Sequence, residues 1–159
     1  MTNTHIAGGD ALVEIRGYPL AMDRMYDPET HVWAKPTAPG QLRLGLDPLG
    51  VETSGTLAQL SFAEPGERLV RGKAFGQLEA AKFVGPLVSP LSGTTLAVNE
   101  AVLADPGLVE SDPFAAGWLL ELAHDEAAEF SALLSQPEEI KDWFARKVDD
   151  YRLRGVIAE

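Results

Sequence analysis

The sequence predicts a mainly β domain, a barrel or sandwich of short strands with helices at its C-terminal end. Three observations predict it. Short apolar runs recur from Leu12 to Leu122, each bounded by Gly, Pro, Asn or Asp, which is the punctuation of tight turns between strands. From Asp125 onward the apolar residues instead fall three or four apart, the period of a helix face. The hairpin predicted over Gly76 to Pro86 carries a lysine, Lys82, at its tip, where turns ordinarily collect Gly, Asn, Asp and Pro.

Leu12 to Ile15 reads as a first strand, and Asp27-Pro28-Glu29-Thr30 as a turn. His31 to Lys35 follows as a strand with His31, Trp33 and Lys35 on one face. Gly40 to Asp47 alternates, aiming Leu42, Leu44 and Leu46 at a core. Asp47 to Ser54 has room for one helical turn, and Gly55 to Ala63 is a strand closed by Glu64-Pro65-Gly66-Glu67. Further strands fall at Leu69-Val70, Ala74 to Glu79, Leu87-Val88 and Thr94 to Val98. Asn99 is placed to cap a short helix over Glu100 to Ala104, which Asp105-Pro106-Gly107 ends. Gly117 to Leu122 returns as a core strand. Asp125 to Ser135 reads as a helix with Phe130, Leu133 and Leu134 on one face. Pro137 opens a second helix, with Glu138 and Glu139 at its positive end and Ile140, Trp143, Phe144, Val148 and Tyr151 as its apolar stripe. Gly155 is its stop. Arg146, Lys147, Arg152 and Arg154 gather late in this helix, where they complement its dipole or form a docking patch.

A chain of 159 residues that is 45% apolar and 23% charged has the make-up of one globular domain. No run is long and apolar enough to predict a membrane span. Met1 to Asp10 lacks the basic and apolar regions of a signal peptide and reads as a loose tail of a cytoplasmic protein. Without cysteine there is no disulfide, thiolate metal site or catalytic thiol, so any sulfur chemistry needs an attached group. His5, His31 and His124 show no ligand spacing. The net charge of −11 disfavours nucleic acid and suits a small carrier that docks on basic surfaces of larger enzymes. No nucleophile–base pair or phosphate loop points to an enzyme.

Lys82 lies between Ala81 and Phe83, three residues after Glu79. A lysine at an exposed tip is open to acylation, and its flexible stem would carry the acyl group into solvent. Turn-rich segments flank it, Gly66 to Lys73 on one side and Ser89 to Asn99 on the other. Together these resemble the flattened half-barrel, a hybrid β-sandwich, of lipoyl and biotinyl carrier domains, in which the modified lysine stands at a hairpin tip. Biotin carriers place Met on both sides of the lysine, so Ala81 and Phe83 disfavour biotin.

A longer stretch, Tyr26 to Leu134, resembles the H protein of the glycine cleavage system. It includes His31-Val32-Trp33, Gly72-Lys73-Ala74-Phe75-Gly76, Ser89-Pro90-Leu91-Ser92-Gly93, Val98-Asn99-Glu100, Asp105-Pro106-Gly107-Leu108-Val109, Asp112-Pro113-Phe114 and Gly117-Trp118-Leu119. The resemblance implies three segments: an N-terminal extension (1–25), a lipoyl-carrier domain (26–134) and a C-terminal helical extension packed on it (135–159). It implies lipoate in amide linkage on Lys82, with Glu79, Ala81 and Phe83 as the surface read by a lipoate-protein ligase or lipoyl synthesis enzymes. It also implies glycine cleavage enzymes and a dihydrolipoyl dehydrogenase-type enzyme as partners.

The chain departs from the family pattern near the arm. Val32 stands where the family has a glutamate that helps hold the aminomethylated arm, and Pro86 where it has an aspartate. Val51-Glu52-Thr53-Ser54 lacks a histidine that some members carry there. A cationic cargo favours carboxylates, so these losses, with the N-terminal extension before Tyr26 and the extra helix after Lys141, lean toward the H-protein-like lipoate-binding proteins that serve a heterodisulfide-reductase-like sulfur-oxidation complex. The alternative is a glycine cleavage H protein whose cleft is rebuilt from other acidic residues. A third reading, a scaffold that keeps only the fold, would not need Lys82.

Overall fold

A computed structural model describes residues 12–158. Strands β1 (Leu12–Ile15) and β2 (Tyr18–Ala21) form a hairpin turned at Arg16-Gly17. Next come β3 (Met25–Tyr26), β4 (Val32–Ala38), β5 (Gln41–Leu46), helix α1 (Pro48–Ser54) and β6 (Leu57–Phe62). Strands β7 (Arg68–Leu69), β8 (Ala74–Ala80), β9 (Val84–Val88) and β10 (Gly93–Val98) follow. Two short helices, α2 (Glu100–Ala104) and α3 (Gly107–Ser111), lead into β11 (Leu120–His124), a 3-10 segment (Ala127–Ala132) and the long α4 (Pro137–Leu153).

The antiparallel order β3-β4-β5-β11-β10-β7 makes a six-stranded sheet, and β6-β8-β9 makes a three-stranded one. Their inner faces share one core. Leu42, Leu44 and Leu46 of β5 meet Leu57, Leu60, Leu78 and Leu87 of the smaller sheet, all buried, as the period-two pattern of β5 requires. A second core lies on the outer side of β4. There Trp33, Tyr26 and Leu49 pack against Ile140, Trp143, Phe144 and Val148 of α4, and Leu20 and Ala21 of β2 close the cluster. The β1–β2 hairpin and α4 are thus stapled to each other. Arg16 makes two hydrogen bonds to Asp149, at 2.9 and 3.2 Å, and Arg152 donates to the Arg16 carbonyl at 3.0 Å. No helix among the described residues is long and apolar enough to cross a membrane.

Several local expectations change. His31 does not share a face with Trp33 and Lys35. Its φ of 64° breaks the strand before β4, so its ring turns toward α1 and α4 instead. Asp125 to Ser135 is not an α-helix but a 3-10 turn over Ala127–Ala132, and its apolar residues divide. Phe130 and Leu133 join the inter-sheet core, while Leu134 joins the outer one. The cause is a two-bond bridge between Leu134 and Tyr26, at 2.8 and 2.9 Å, which draws the chain into extended form. The β2 strand, β3 and α3 are additions to the predicted elements. Met1 to Ala11, including the tail and His5, lies outside the described residues.

Trp33 lies flat over Gly45 on the neighbouring strand, where an added Cβ would come within 2.2 Å of the indole. Gly45→Ala is expected to destabilise the protein by about 1–3 kcal/mol through overpacking, read from urea denaturation midpoints.

Three tyrosines resist ionisation. Burial pushes Tyr26 well above 10.0 and raises Tyr151. Tyr18 is pushed up to about 12 by burial and then by its hydrogen bond to Glu52. The folded state therefore holds the phenol proton more tightly than the unfolded chain does. This stabilisation is complete below pH 10.0 and is lost as pH rises toward about 12. Melting temperature is expected to fall over that window, and Tyr18→Phe to flatten the fall, as followed by circular dichroism.

Candidate functional site

Asp47 ends β5 and starts α1. It is an N-cap residue with proline at the next position, which presets the first helical φ. Its Oδ1 accepts the Leu49 and Gly50 amides at 2.8 and 2.9 Å. Its Oδ2 lies 2.8 Å from His31 Nδ1, and His31 Nε2 lies 2.9 Å from the Tyr151 hydroxyl of α4. With the carboxylate as acceptor, Nδ1 carries a proton, and Nε2 shares a hydrogen bond with the Tyr151 hydroxyl.

The other end of α1 reaches Lys82. The Ser54 carbonyl accepts the Lys82 amide at 2.8 Å, and the Thr56 carbonyl accepts the Ala81 amide at 3.0 Å. Ala80 donates to the Phe83 carbonyl at 2.9 Å, closing the β8–β9 tip. Neither Ala81 nor Lys82 has a positive φ, unlike the common two-residue hairpin turns. The tip is instead held from outside, by carbonyls at the C-terminal end of α1 and just beyond it. Gly55 makes the approach possible: its φ is +81°, and an added Cβ would meet Lys82 Cγ at 3.0 Å and the Lys82 amide at 3.2 Å.

Beside the tip opens a groove of about 360 Å³ between α1, the 29–32 segment and β9. Its walls are largely apolar, formed by Val32, Leu46, Leu78, Leu87 and Pro86, with the Phe83 ring at the border. Glu29, Thr30, His31 and Thr53 add polar groups. Lys82 borders the same groove. The Lys82 side chain and the Glu29 carboxylate have no hydrogen-bond or ion-pair partner among the described residues.

The predicted site residues divide. Lys82, Ala81 and Phe83 are exposed together at the tip, Phe83 by 44%. Phe83 packs its ring over Gly85, where an added Cβ would approach within 2.7 Å. Glu79 is exposed on β8 but lies away from the groove, beside Gln59, Ser61 and Gln77. Val32 and Pro86 do line the groove. Glu29, Thr53 and Asp47 were not among the predicted site residues. Asp47-Pro48 carries a legible cap signal, whereas Glu29 reads as an ordinary turn residue.

Two face-packed sheets with a lysine at a hairpin tip, pinned beside an apolar groove, define a carrier domain of the swinging-arm class. The family model described as glycine cleavage H-protein matches residues 24–146, and the chain belongs to that family. The glycine cleavage system H protein of Listeria innocua is 31% identical over 119 residues, covering 75% of this chain and 94% of that protein. That of Corynebacterium jeikeium is 34% identical over 113 residues, covering 69% and 88%. The crystal structure of a glycine cleavage system H protein from Mycobacterium marinum has a TM-score of 0.60 at 33% identity, covering 70% of this chain and 96% of that one. Glycine cleavage H proteins carry a covalent lipoate on a lysine. The residues here fit that group: an exposed lysine without a competing partner among the described residues, and a neighbouring groove with apolar walls.

Gly55→Val is expected to destabilise the fold by about 1–3 kcal/mol, because it adds bulk at a left-handed φ against the lysine backbone. In amide exchange, protection at Lys82 should fall more than protection in β11.

Proposed function

We propose that the chain is a lipoyl carrier of the glycine cleavage type, with the arm attached to Lys82 and its loaded end resting in the adjoining groove. The observation that carries this reading is the shared border of Lys82 and Glu29 on one groove. Lipoate, when attached, supplies a thiol–disulfide pair on a long apolar stem. Acylation removes the Lys82 charge. Val32, Leu46 and Leu87 offer the stem a dry wall, and Glu29 offers an ammonium-bearing cargo a carboxylate. The protein then acts as a carrier subunit and not a catalyst, serving a lipoate-protein ligase, the glycine cleavage enzymes and a dihydrolipoyl dehydrogenase. Glu79, Ala81 and Phe83 are proposed as the ligase-facing surface, since all three are exposed near the lysine.

Glu29 answers the argument that this groove lacks a carboxylate. Val32 and Pro86 are only part of what favours the sulfur-oxidation reading, beside the missing histidine at 51–54 and the two terminal extensions, and the relatives named above are all glycine cleavage H proteins. The apolar wall to which Val32 and Pro86 contribute suits an uncharged, sulfur-borne cargo.

Incubation with lipoate and a ligase is expected to add one lipoyl mass to the wild-type chain and none to Lys82→Arg, read by intact mass spectrometry. The lipoylated protein is expected to support glycine–bicarbonate exchange with the decarboxylase of the system. Absence of exchange from fully lipoylated protein would favour the uncharged cargo. Glu29→Gln is expected to shorten the lifetime of the loaded amine about fivefold to tenfold, the equivalent of ~1 kcal/mol for a partly exposed charge-assisted contact.

A further inference from the structure

We propose that Tyr18 and Tyr151, both outside the residues matched by the family model, are positioning residues that set the Lys82 tip through α1. They act on different parts of that helix, Tyr18 by direct contact and Tyr151 through His31. Tyr151 acts at the N-terminal end, through its 2.9 Å contact to His31 and the 2.8 Å contact from His31 to the capping carboxylate of Asp47. Tyr18 acts near the C-terminal end, donating from its hydroxyl to Glu52 Oε1 at 2.6 Å. A helix of seven residues spans only about 10 Å, so fixing it near both ends leaves it little freedom to shift. Its last carbonyl, on Ser54, and that of Thr56 are the acceptors for the Lys82 and Ala81 amides. Displacement of α1 therefore displaces the lysine backbone directly.

The two tyrosines are themselves braced. Tyr18 meets Phe144 of α4 edge-on at 5.9 Å, and His31 packs between Trp143 and Tyr151, at 5.9 and 5.8 Å. The Arg16–Asp149 pair and the Arg152 bond to the Arg16 carbonyl join the β1–β2 hairpin to the same helix. The extensions thus form one unit that holds α1 at contacts separate from the tip's own hydrogen bonds. His31 sits at a left-handed φ of 64°, a conformation that a non-glycine residue holds only when its surroundings impose it. Its two ring contacts and its backbone bonds to Asp27 and Asp47 supply that constraint.

The coupling is testable in the unmodified chain, so its failure is separable from failure of the lipoyl reading, on which only its functional consequence rests. Amide hydrogen exchange of the full chain is followed by NMR for wild type, Tyr18→Phe, Tyr151→Phe and the double variant. Each substitution removes one hydroxyl and keeps the ring, so the cores stay filled. Exchange at Ala81 and Lys82 is expected to quicken about tenfold or more in the double variant, while Leu120 and Leu122 of β11 keep wild-type rates. Unchanged rates at Ala81 and Lys82 would overturn the proposal. An equal loss of protection at Leu122 would also overturn it, because the tyrosines would then be general stabilisers. In lipoylated protein, the double variant is expected to react with a phosphine reductant at the dithiolane at least threefold faster than wild type. An unchanged rate would show that tip position does not govern the arm.

Discussion

The buried carboxylate of Asp47 is the junction on which the site depends. It is 0% exposed, and such a group is tolerated only when hydrogen bonds replace its lost hydration. Three donors do so: two amides of the first turn of α1, and the His31 ring. Each has a structural consequence. The amides make α1 start at Pro48, immediately after β5. The imidazole contact holds His31 at its unusual φ, which turns the chain from the Asp27–Thr30 turn into β4. The ring's other nitrogen then reaches Tyr151, so α4 is joined to the same point. Strand, helix and C-terminal extension meet at one side chain.

The groove follows from how the two sheets end. Their inner faces share a continuous core, and the β8–β9 tip is caught by the carbonyls of Ser54 and Thr56. The space left between them takes its walls from residues that otherwise belong to the core, Val32, Leu46, Leu78 and Leu87. Its polar groups come from the 29–31 segment and from α1. An apolar channel with polar groups on one part of its lining suits a ligand that is mostly hydrocarbon with a polar end. The lysine border, the dry wall and the carboxylate come from three different parts of the chain. Only the fold brings them together.

Much of this was legible in the sequence where local physics decides. Leu42, Leu44 and Leu46 alternate because one face of β5 is buried, and Asn99 caps α2 over the predicted span. Gly155 ends α4 with a φ of +74°. The Lys82 hairpin followed from its flanking turns. What was not legible depends on distant partners. The 125–135 segment has a helical apolar period, yet the bridge to Tyr26 stops it after one 3-10 turn. His31 would alternate with Trp33 in a regular strand, but contacts to Asp47 and Tyr151, 16 and 120 residues away, override that pattern. Glu29 belongs to the groove through the turn it occupies, and turn composition does not say which way the turn leans.

Glu29 stands on the groove that Val32 and Pro86 line. Aligned by spacing, Val32 and Pro86 look like two lost carboxylates and hence a changed cargo. In three dimensions, a carboxylate serves a bound cation by its distance and its desolvation, not by its position in the chain. Glu29 lies three residues before Val32 and borders the same groove from the preceding turn. It carries its charge at the exposed rim instead of at a buried strand position, where ionisation would cost more. Val32 meanwhile is only 1% exposed and packs in the inter-sheet core, so the strand gains apolar burial where a carboxylate would need partners. Val32 keeps the wall dry, and the Glu29 carboxylate stands at the exposed rim of the same groove.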